Sequence, residues 1–282
     1  MHLSFQLTKE KKTIQNTLLE DLSESIGRLK ISFGIEDLSA WAVSRNADEK
    51  MLKDAKSLLD AIYCSNYSKR KNVIRDMSGL PKEGAENTFE NFDPRHVAGP
   101  NMDALMALKT LSFLKNGYNV ILAGNNGTGK THIAQAICNE CVEHLIRTSF
   151  TTLYNLKTKI ERATRNGTLP TLVSNLSAIP CLVIDEIDKC TLTRDETAVF
   201  FDIVNRKYSN RGMGSLIITS NDSPSLWGEV FQDEKLALSI LDRLFDRSYC
   251  FNFTGESYRG KNKKVASLNF ASDPILPKIK QF

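Results

Sequence analysis

Eight consecutive residues, Gly124-Asn125-Asn126-Gly127-Thr128-Gly129-Lys130-Thr131, constrain this chain more than any other stretch. They fit the spacing G-x-x-x-x-G-K-[ST] at every fixed position. The flanks supply the frame that this spacing requires. Tyr118 to Ala123 is a β-type apolar run leading in, and a helical pattern starting at Thr131 leads out. Gly127 and Gly129 permit positive φ, which lets backbone N–H groups close around a polyphosphate. The helix N-terminus behind them adds its dipole to the attraction for an anion. In such a loop Lys130 reaches the β- and γ-phosphates and the Thr131 hydroxyl holds Mg²⁺. Gly124, Asn125, Asn126, Thr128 and His132 complete the contact stretch, and ATP with Mg²⁺ is the expected cofactor pair. A glycine-rich turn that happens to carry a lysine is the competing reading, and the strand–loop–helix frame argues against it.

Bulk properties narrow the class without naming a use for the nucleotide. The 282 residues suit one large domain or one domain with an appendage. Apolar residues at 41% and charged residues at 25% are ordinary for a soluble globular chain. No apolar run approaches the ~20 residues of a membrane-spanning helix. The stretch Met1 to Lys9 has no basic region followed by an apolar core, so a cytoplasmic location without a membrane partner is expected. Among six cysteines, Cys138 and Cys141 form a C-x-x-C inside the helix after the loop, with no second pair at zinc-site spacing. Reduced thiols packed in that helix are expected rather than a metal or redox site. The net charge is only +4, and the tail from Gly255 onward, with Arg259, Lys261, Lys263, Lys264, Lys278 and Lys280, carries a surplus as large as that of the whole chain. A solvated tail and a nucleic-acid contact both account for it.

The first ninety or so residues read as helical. Ile14, Leu18, Leu22, Ile26 and Leu29 form one stripe; Met51, Ala55, Leu58 and Ile62 form another, widened by Leu52 and Leu59. A segment containing Trp41 lies between them, and a basic knot stands at Lys69-Arg70-Lys71. Breakers and charges from Ser78 to Gly84 mark a linker. From about Thr88 strand and helix alternate, the signature of a parallel sheet covered by helices on both faces. Helices are expected over 101–114, 131–144, 153–164 and 236–245, and strands over 118–123, 148–152, 181–184, 216–219 and 250–253. Thr193 and Glu196 form a T-x-x-E capping box that opens a further helix to about Asn210.

The metal half of the site is expected on the strand Leu182-Val183-Ile184, which delivers Asp185-Glu186 at its carboxyl end, the edge where open α/β sheets bind ligands. Asp185 would position Mg²⁺ together with Thr131. Glu186 is suited to polarise the attacking water as a general base. The next strand ends at Ser220-Asn221, where the Asn221 amide would lie beside the γ-phosphate. Taken singly, an acid pair capping a strand and an asparagine forming a turn are also ordinary structural features.

Several segments together resemble the IstB/DnaC-like branch of AAA+ ATPases, which contains transposition helpers of insertion sequences and loaders of replicative helicases. They are Gly129 to Ala134, Leu182 to Ile187, Ser220-Asn221, Trp227-Gly228-Glu229-Val230-Phe231, Ile240 to Leu244 and Gly255-Glu256-Ser257-Tyr258-Arg259. Thr88 to Asp93 looks like the family's entry to its ATPase core, and the likeness runs from about Thr88 to Lys261. It implies an AAA+ P-loop NTPase core, a parallel sheet between helices, behind a small all-helical N-terminal domain. The boundaries would be 1–76 for a helical partner- or DNA-recognition domain, 77–95 for a linker, 96–260 for the ATPase domain and 261–282 for a basic tail. Asn221 would be sensor 1. Arg243 would be the arginine finger that enters a neighbouring subunit's site, against the plain alternative of a surface arginine paired with Asp242 or Asp246. Arg259 is the candidate second sensor, in competition with Arg247. Lys157, Lys159, Arg162 and Arg165, on the helix after the second strand, would contact DNA phosphates; a solvated basic face is their simpler explanation. The implied partners are duplex or single-stranded DNA, further copies of the chain in a ring, spiral or filament, and a transposase or, alternatively, a replicative helicase. A P-loop kinase or small-molecule ATPase is the contrasting class, and a scaffold that has lost turnover is a third.

Overall fold

The computed structural model describes residues 2–32, 34–94, 101–210, 214–255 and 257, and the chain divides into two compact units. Met1–Gly79 with Val142–Arg147 form one, and Leu80–Cys141 with Thr148–Phe282 form the other. Among the described residues no helix is long and apolar enough to cross a membrane.

Three helices build most of the first unit: α1 (His2–Arg28), α2 (Ile35–Ser44) and α3 (Glu49–Met77). Lys56 lies 3.2 Å from the Asp21 carboxylate, and Ser25 donates to Asp60 at 2.8 Å. These pairs are four residues apart on both helices and in the same order, so α1 and α3 run in one direction. Leu22, Ile26, Leu38, Ala42 and Leu52 form the core, with Trp41, Ala55 and Leu59 packed against it. The expected α3 stripe is therefore centred one residue too early. Met51 and Ile62 are exposed, and Leu58 is 63% exposed. Two overlapping apolar stripes are written on α3, and Leu52-Ala55-Leu59 is the one that meets the core.

The second unit is built on a five-stranded sheet ordered β2-β3-β4-β1-β5, parallel throughout. Its strands are β1 (Asn119–Gly124), β2 (Thr148–Thr152), β3 (Cys181–Asp185), β4 (Ser215–Ser220) and β5 (Ser248–Phe253). Every residue of β3 and β4 is buried, which is why both read as unbroken runs rather than alternations. The helices are α4 (Met102–Ala107), α5 (Ser112–Lys115), α6 (Lys130–Glu143), α7 (Leu153–Arg165), α8 (Leu169–Ser177), α9 (Arg194–Ser209) and α10 (Glu234–Asp246). The capping box at the start of α9 is formed as expected. The Thr193 hydroxyl accepts from the Glu196 N–H at 3.3 Å, and the Glu196 carboxylate accepts from the Thr193 N–H at 2.8 Å.

Two expectations change. The helix expected over 101–114 is broken at Leu111, where φ is 54°. Thr110 and Ser112 draw hydroxyl hydrogen bonds at the break, the local competition that disfavours a continuous helix. The segment read as a linker is counted with the second unit from Leu80 onward, and Phe89 and Phe92 are buried. Three side chains on one face of α6 hold it. His132 Nε2 donates to the Thr88 carbonyl at 2.8 Å, Gln135 accepts from Asn87 at 2.6 Å, and Asn139 donates to the carbonyls of Gly84 and Asn87 at 2.9 and 2.7 Å.

Lys207 on α9 is buried, and its ammonium donates to the Ile179 carbonyl. Burial pushes its pKa down to about 8. The unfolded chain holds this proton up to a pKa of about 10.4, so between those values folding releases it and stability rises with pH. The contribution is at most about 3 kcal/mol. The melting temperature of wild type relative to Lys207→Met is expected to climb between about pH 8 and pH 10. Parallel pH responses of the two proteins would remove Lys207 as the cause.

Candidate active site

The carboxyl ends of β3, β4 and β1 lie side by side in the sheet, and the chemistry-bearing residues stand there. Gly124 ends β1 with φ at +126°, and a Cβ at that position would sit 2.1 Å from the Phe253 carbonyl. The close approach has a purpose in the loop, because the Asn125 N–H donates to that same carbonyl at 2.8 Å. Gly129, φ +96°, carries the second strict requirement: a Cβ there would meet the Phe92 ring at 2.7 Å. Asn125 also donates its side-chain amide to the carbonyls of Thr254 and Gly255.

Lys130 is buried, with its ammonium folded onto the loop's own carbonyls, Gly124 at 2.7 Å and Asn125 at 2.6 Å. A phosphate would offer charged acceptors in place of these neutral ones, which makes stronger hydrogen bonds. At the next residue, the Thr131 hydroxyl donates to Asp185 Oδ1 at 3.0 Å. The Thr219 hydroxyl donates to the same oxygen and accepts from the Glu186 N–H at 2.9 Å. Burial raises the Asp185 pKa, while the two hydroxyl bonds hold it down. Among the described residues no group of three or more His, Cys, Asp or Glu side chains could hold a metal by itself. Thr131 and Asp185 fit a different kind of site, in which Mg²⁺ takes one or two protein oxygens and completes its shell with phosphate and water.

Glu186 leaves the strand in a left-handed conformation, φ 54° and ψ 56°, and lines the cavity beside the loop. That cavity, about 250 Å³, is bounded by Asn126 to His132, by Glu186, Thr219 and Asn221, and by Asn91, Phe92 and Asp93. Phe92 packs on the His132 ring with centroids 5.4 Å apart. His132 thus lines the cavity, but its Nε2 proton is committed to Thr88. Asn221 is held by a residue outside the sequence expectations. Its backbone N–H donates to Asp188 Oδ1 at 2.9 Å and its amide to Oδ2 at 3.1 Å. Burial opposes the Asp188 charge, but these bonds and Lys189 keep its carboxyl below the usual range.

Arg243 stands apart from this cavity. Its guanidinium donates to Asn205 at 3.0 Å and to the Ser239 carbonyl at 3.0 Å, and it lies over Phe201 at 4.9 Å. Its recorded partners thus do not include the expected alternatives, Asp242 and Asp246. Arg247 lines the same small pocket as Arg243. Arg259 lies outside the described residues, as does the 261–282 tail. On α7 the four cations separate. Lys157 turns inward, donating to the Thr191 carbonyl at 3.0 Å and lying 3.6 Å from Glu196, while Lys159, Arg162 and Arg165 are exposed.

Phosphate loop, acid pair and strand-end asparagine therefore meet at one sheet edge. The family model described as IstB-like ATP binding protein matches residues 29–266. The chain belongs to the IstB-like ATP-binding protein family. It is 37% identical over 181 residues to the ATP-binding protein of insertion sequence IS21 from Pseudomonas aeruginosa, covering 64% of this chain and 67% of that protein. It is 30% identical over 248 residues to the ATP-binding protein of insertion sequence IS5376 from Geobacillus stearothermophilus, covering 87% and 96%. Among solved structures, the DnaC helicase loader superposes with a TM-score of 0.51 at 17% identity, over 62% of this chain and 100% of that one. The fold is that of AAA+ proteins, and this IstB-like chain is an AAA+ ATPase. Sequence reasoning missed Asp188, Thr219 and Phe92 as site residues. Only Phe92 had left a signal, because it falls within the Thr88 to Asp93 stretch.

Proposed function

We infer that this IstB-like ATPase assembles on DNA in an ATP-dependent way and acts on a transposase bound there. The observation that carries the reading is the separation of Arg243 from the cavity that holds Glu186 and Asn221. A cavity lined by an acid and an amide, with no arginine among its described lining residues, is half of a site that a second copy completes. In that site Lys130 and the loop N–H groups hold the phosphates, Thr131 and Asp185 hold Mg²⁺, and Glu186 polarises the water. The exposed Lys159, Arg162 and Arg165 would contact DNA phosphates without reading sequence. Lys157 is the weakest of the four candidates, since contact with DNA would require leaving Thr191 and Glu196. The N-terminal helical unit is the candidate module for recognising the partner. The two insertion-sequence relatives favour a transposase, while the shared fold with a helicase loader supports a replicative helicase as the second reading.

ATP turnover per subunit, measured across protein concentration with and without duplex or single-stranded DNA, tests this directly. Turnover should rise with concentration and rise further with DNA, and the DNA effect should weaken as salt increases. A rate flat in both variables would instead fit a small-molecule ATPase.

A further inference from the structure

We propose that Asp188 is a positioning residue for ATP hydrolysis, acting through Asn221. The inference rests on the ATPase site described above and adds a component to it. Asp188 lies three residues beyond Asp185, in the turn that follows β3, and its side chain is 2% exposed. One carboxylate oxygen takes the Asn221 N–H and the other takes the Asn221 side-chain amide, at 2.9 and 3.1 Å. A carboxylate has acceptors only, so this clasp fixes which end of the amide faces it. The Asn221 NH₂ group is turned to Asp188, leaving the carbonyl oxygen and the second amide hydrogen for the cavity that Glu186 and Thr219 also line. An asparagine gripped only by its backbone could present either end. Gripped twice, it presents one, which suits an acceptor for the attacking water beside the Glu186 carboxylate. Asp188 itself reaches no reacting atom in this arrangement.

Asp188→Asn replaces two acceptors by one acceptor and one donor, so one of the two Asn221 bonds must go while the shape is kept. Asp188→Ala removes both. The experiment measures kcat at saturating ATP, Mg²⁺, DNA and protein, ATP affinity and melting temperature for these variants, for Asn221→Ala and for Asp188→Ala/Asn221→Ala. Both Asp188 variants should bind ATP within about twofold of wild type and lose on the order of 10²-fold in kcat, the scale of a misplaced catalytic group. The double variant should be no slower than Asn221→Ala alone, because Asp188 has nothing left to position. Wild-type kcat in Asp188→Asn, losses that multiply in the double variant, or a loss that follows ATP affinity or melting temperature would overturn the proposal. Glu186→Gln separates the two levels. If wild type is no faster than Glu186→Gln, the ATPase site itself is misassigned; if it is faster while the Asp188 variants match wild type, only the Asp188 assignment fails.

Discussion

Arg243→Ala should bind ATP as wild type does and lose about 10³-fold or more of the assembly-dependent turnover. A guanidinium that enters a neighbour's site neutralises charge on the transferring phosphoryl group, and the described residues lining the receiving cavity include no arginine to replace it. The side chain is well prepared for such a role, since Asn205, the Ser239 carbonyl and the faces of Phe201 and Tyr208 hold it in one place. Those same neighbours make a small loss of stability expected, about 1 kcal/mol for the lost hydrogen bonds and ring contact. Melting curves therefore belong beside the kinetics. If Arg243→Ala keeps half of the wild-type rate, the arginine is only a residue of α10 that packs against α9.

Glu186→Gln should retain ATP and slow hydrolysis by roughly 10²- to 10⁴-fold, the range ascribed to a positioned general base. Glutamine keeps the size of the side chain and the Glu186 N–H bond to Thr219, so the loop and the Asp185 cluster should stay as they are. The expected consequence is a longer-lived assembly on DNA in the presence of ATP, read as a slower dissociation rate from labelled DNA. Dissociation as fast as that of wild type would remove Glu186 from the hydrolytic step. The two variants also test each other. A subunit carrying Arg243→Ala still has its own Glu186, and a neighbour carrying Glu186→Gln still has Arg243. An equal mixture should regain turnover that neither protein shows alone, whereas an arginine acting within its own chain would give none.

The parts of this architecture that were legible in the sequence are those set by local chemistry. The loop spacing fixes strand, turn and helix because glycine, lysine and threonine each answer a separate geometric demand. Asp185-Glu186 was legible because an apolar run with acids at its end leaves few choices in a parallel sheet. The α9 start was legible because Thr193 and Glu196 satisfy each other's backbone groups. What stayed hidden depends on pairs of elements. Asp188 looks like any acid in a turn until β4 brings Asn221 against it. Phe89 and Phe92 follow a stretch rich in breakers, and their burial goes with hydrogen bonds that link His132, Gln135 and Asn139, on one face of α6, to Gly84, Asn87 and Thr88. On α3 the choice between two stripes belongs to the rest of the core and not to the helix. The break at Leu111 and the short α8 were likewise invisible to periodicity, which averages over more residues than either contains.

The backbone at Glu186 has a consequence for how this protein can be improved. Five described residues other than glycine have positive φ, and four of them, Lys30, Asn46, Leu111 and Leu145, sit just beyond helix ends, where such a turn is routine. Glu186 is the fifth and follows a strand. A side chain in this conformation costs about 1 kcal/mol that glycine would not incur. Selection for thermal stability alone would therefore drift toward glycine at 186, and with the water-polarising role proposed for Glu186 the sturdier molecule is expected to be inactive. On the proposed role, stability and turnover pull in opposite directions at this one residue, so an engineered heat-resistant form has to gain its margin elsewhere.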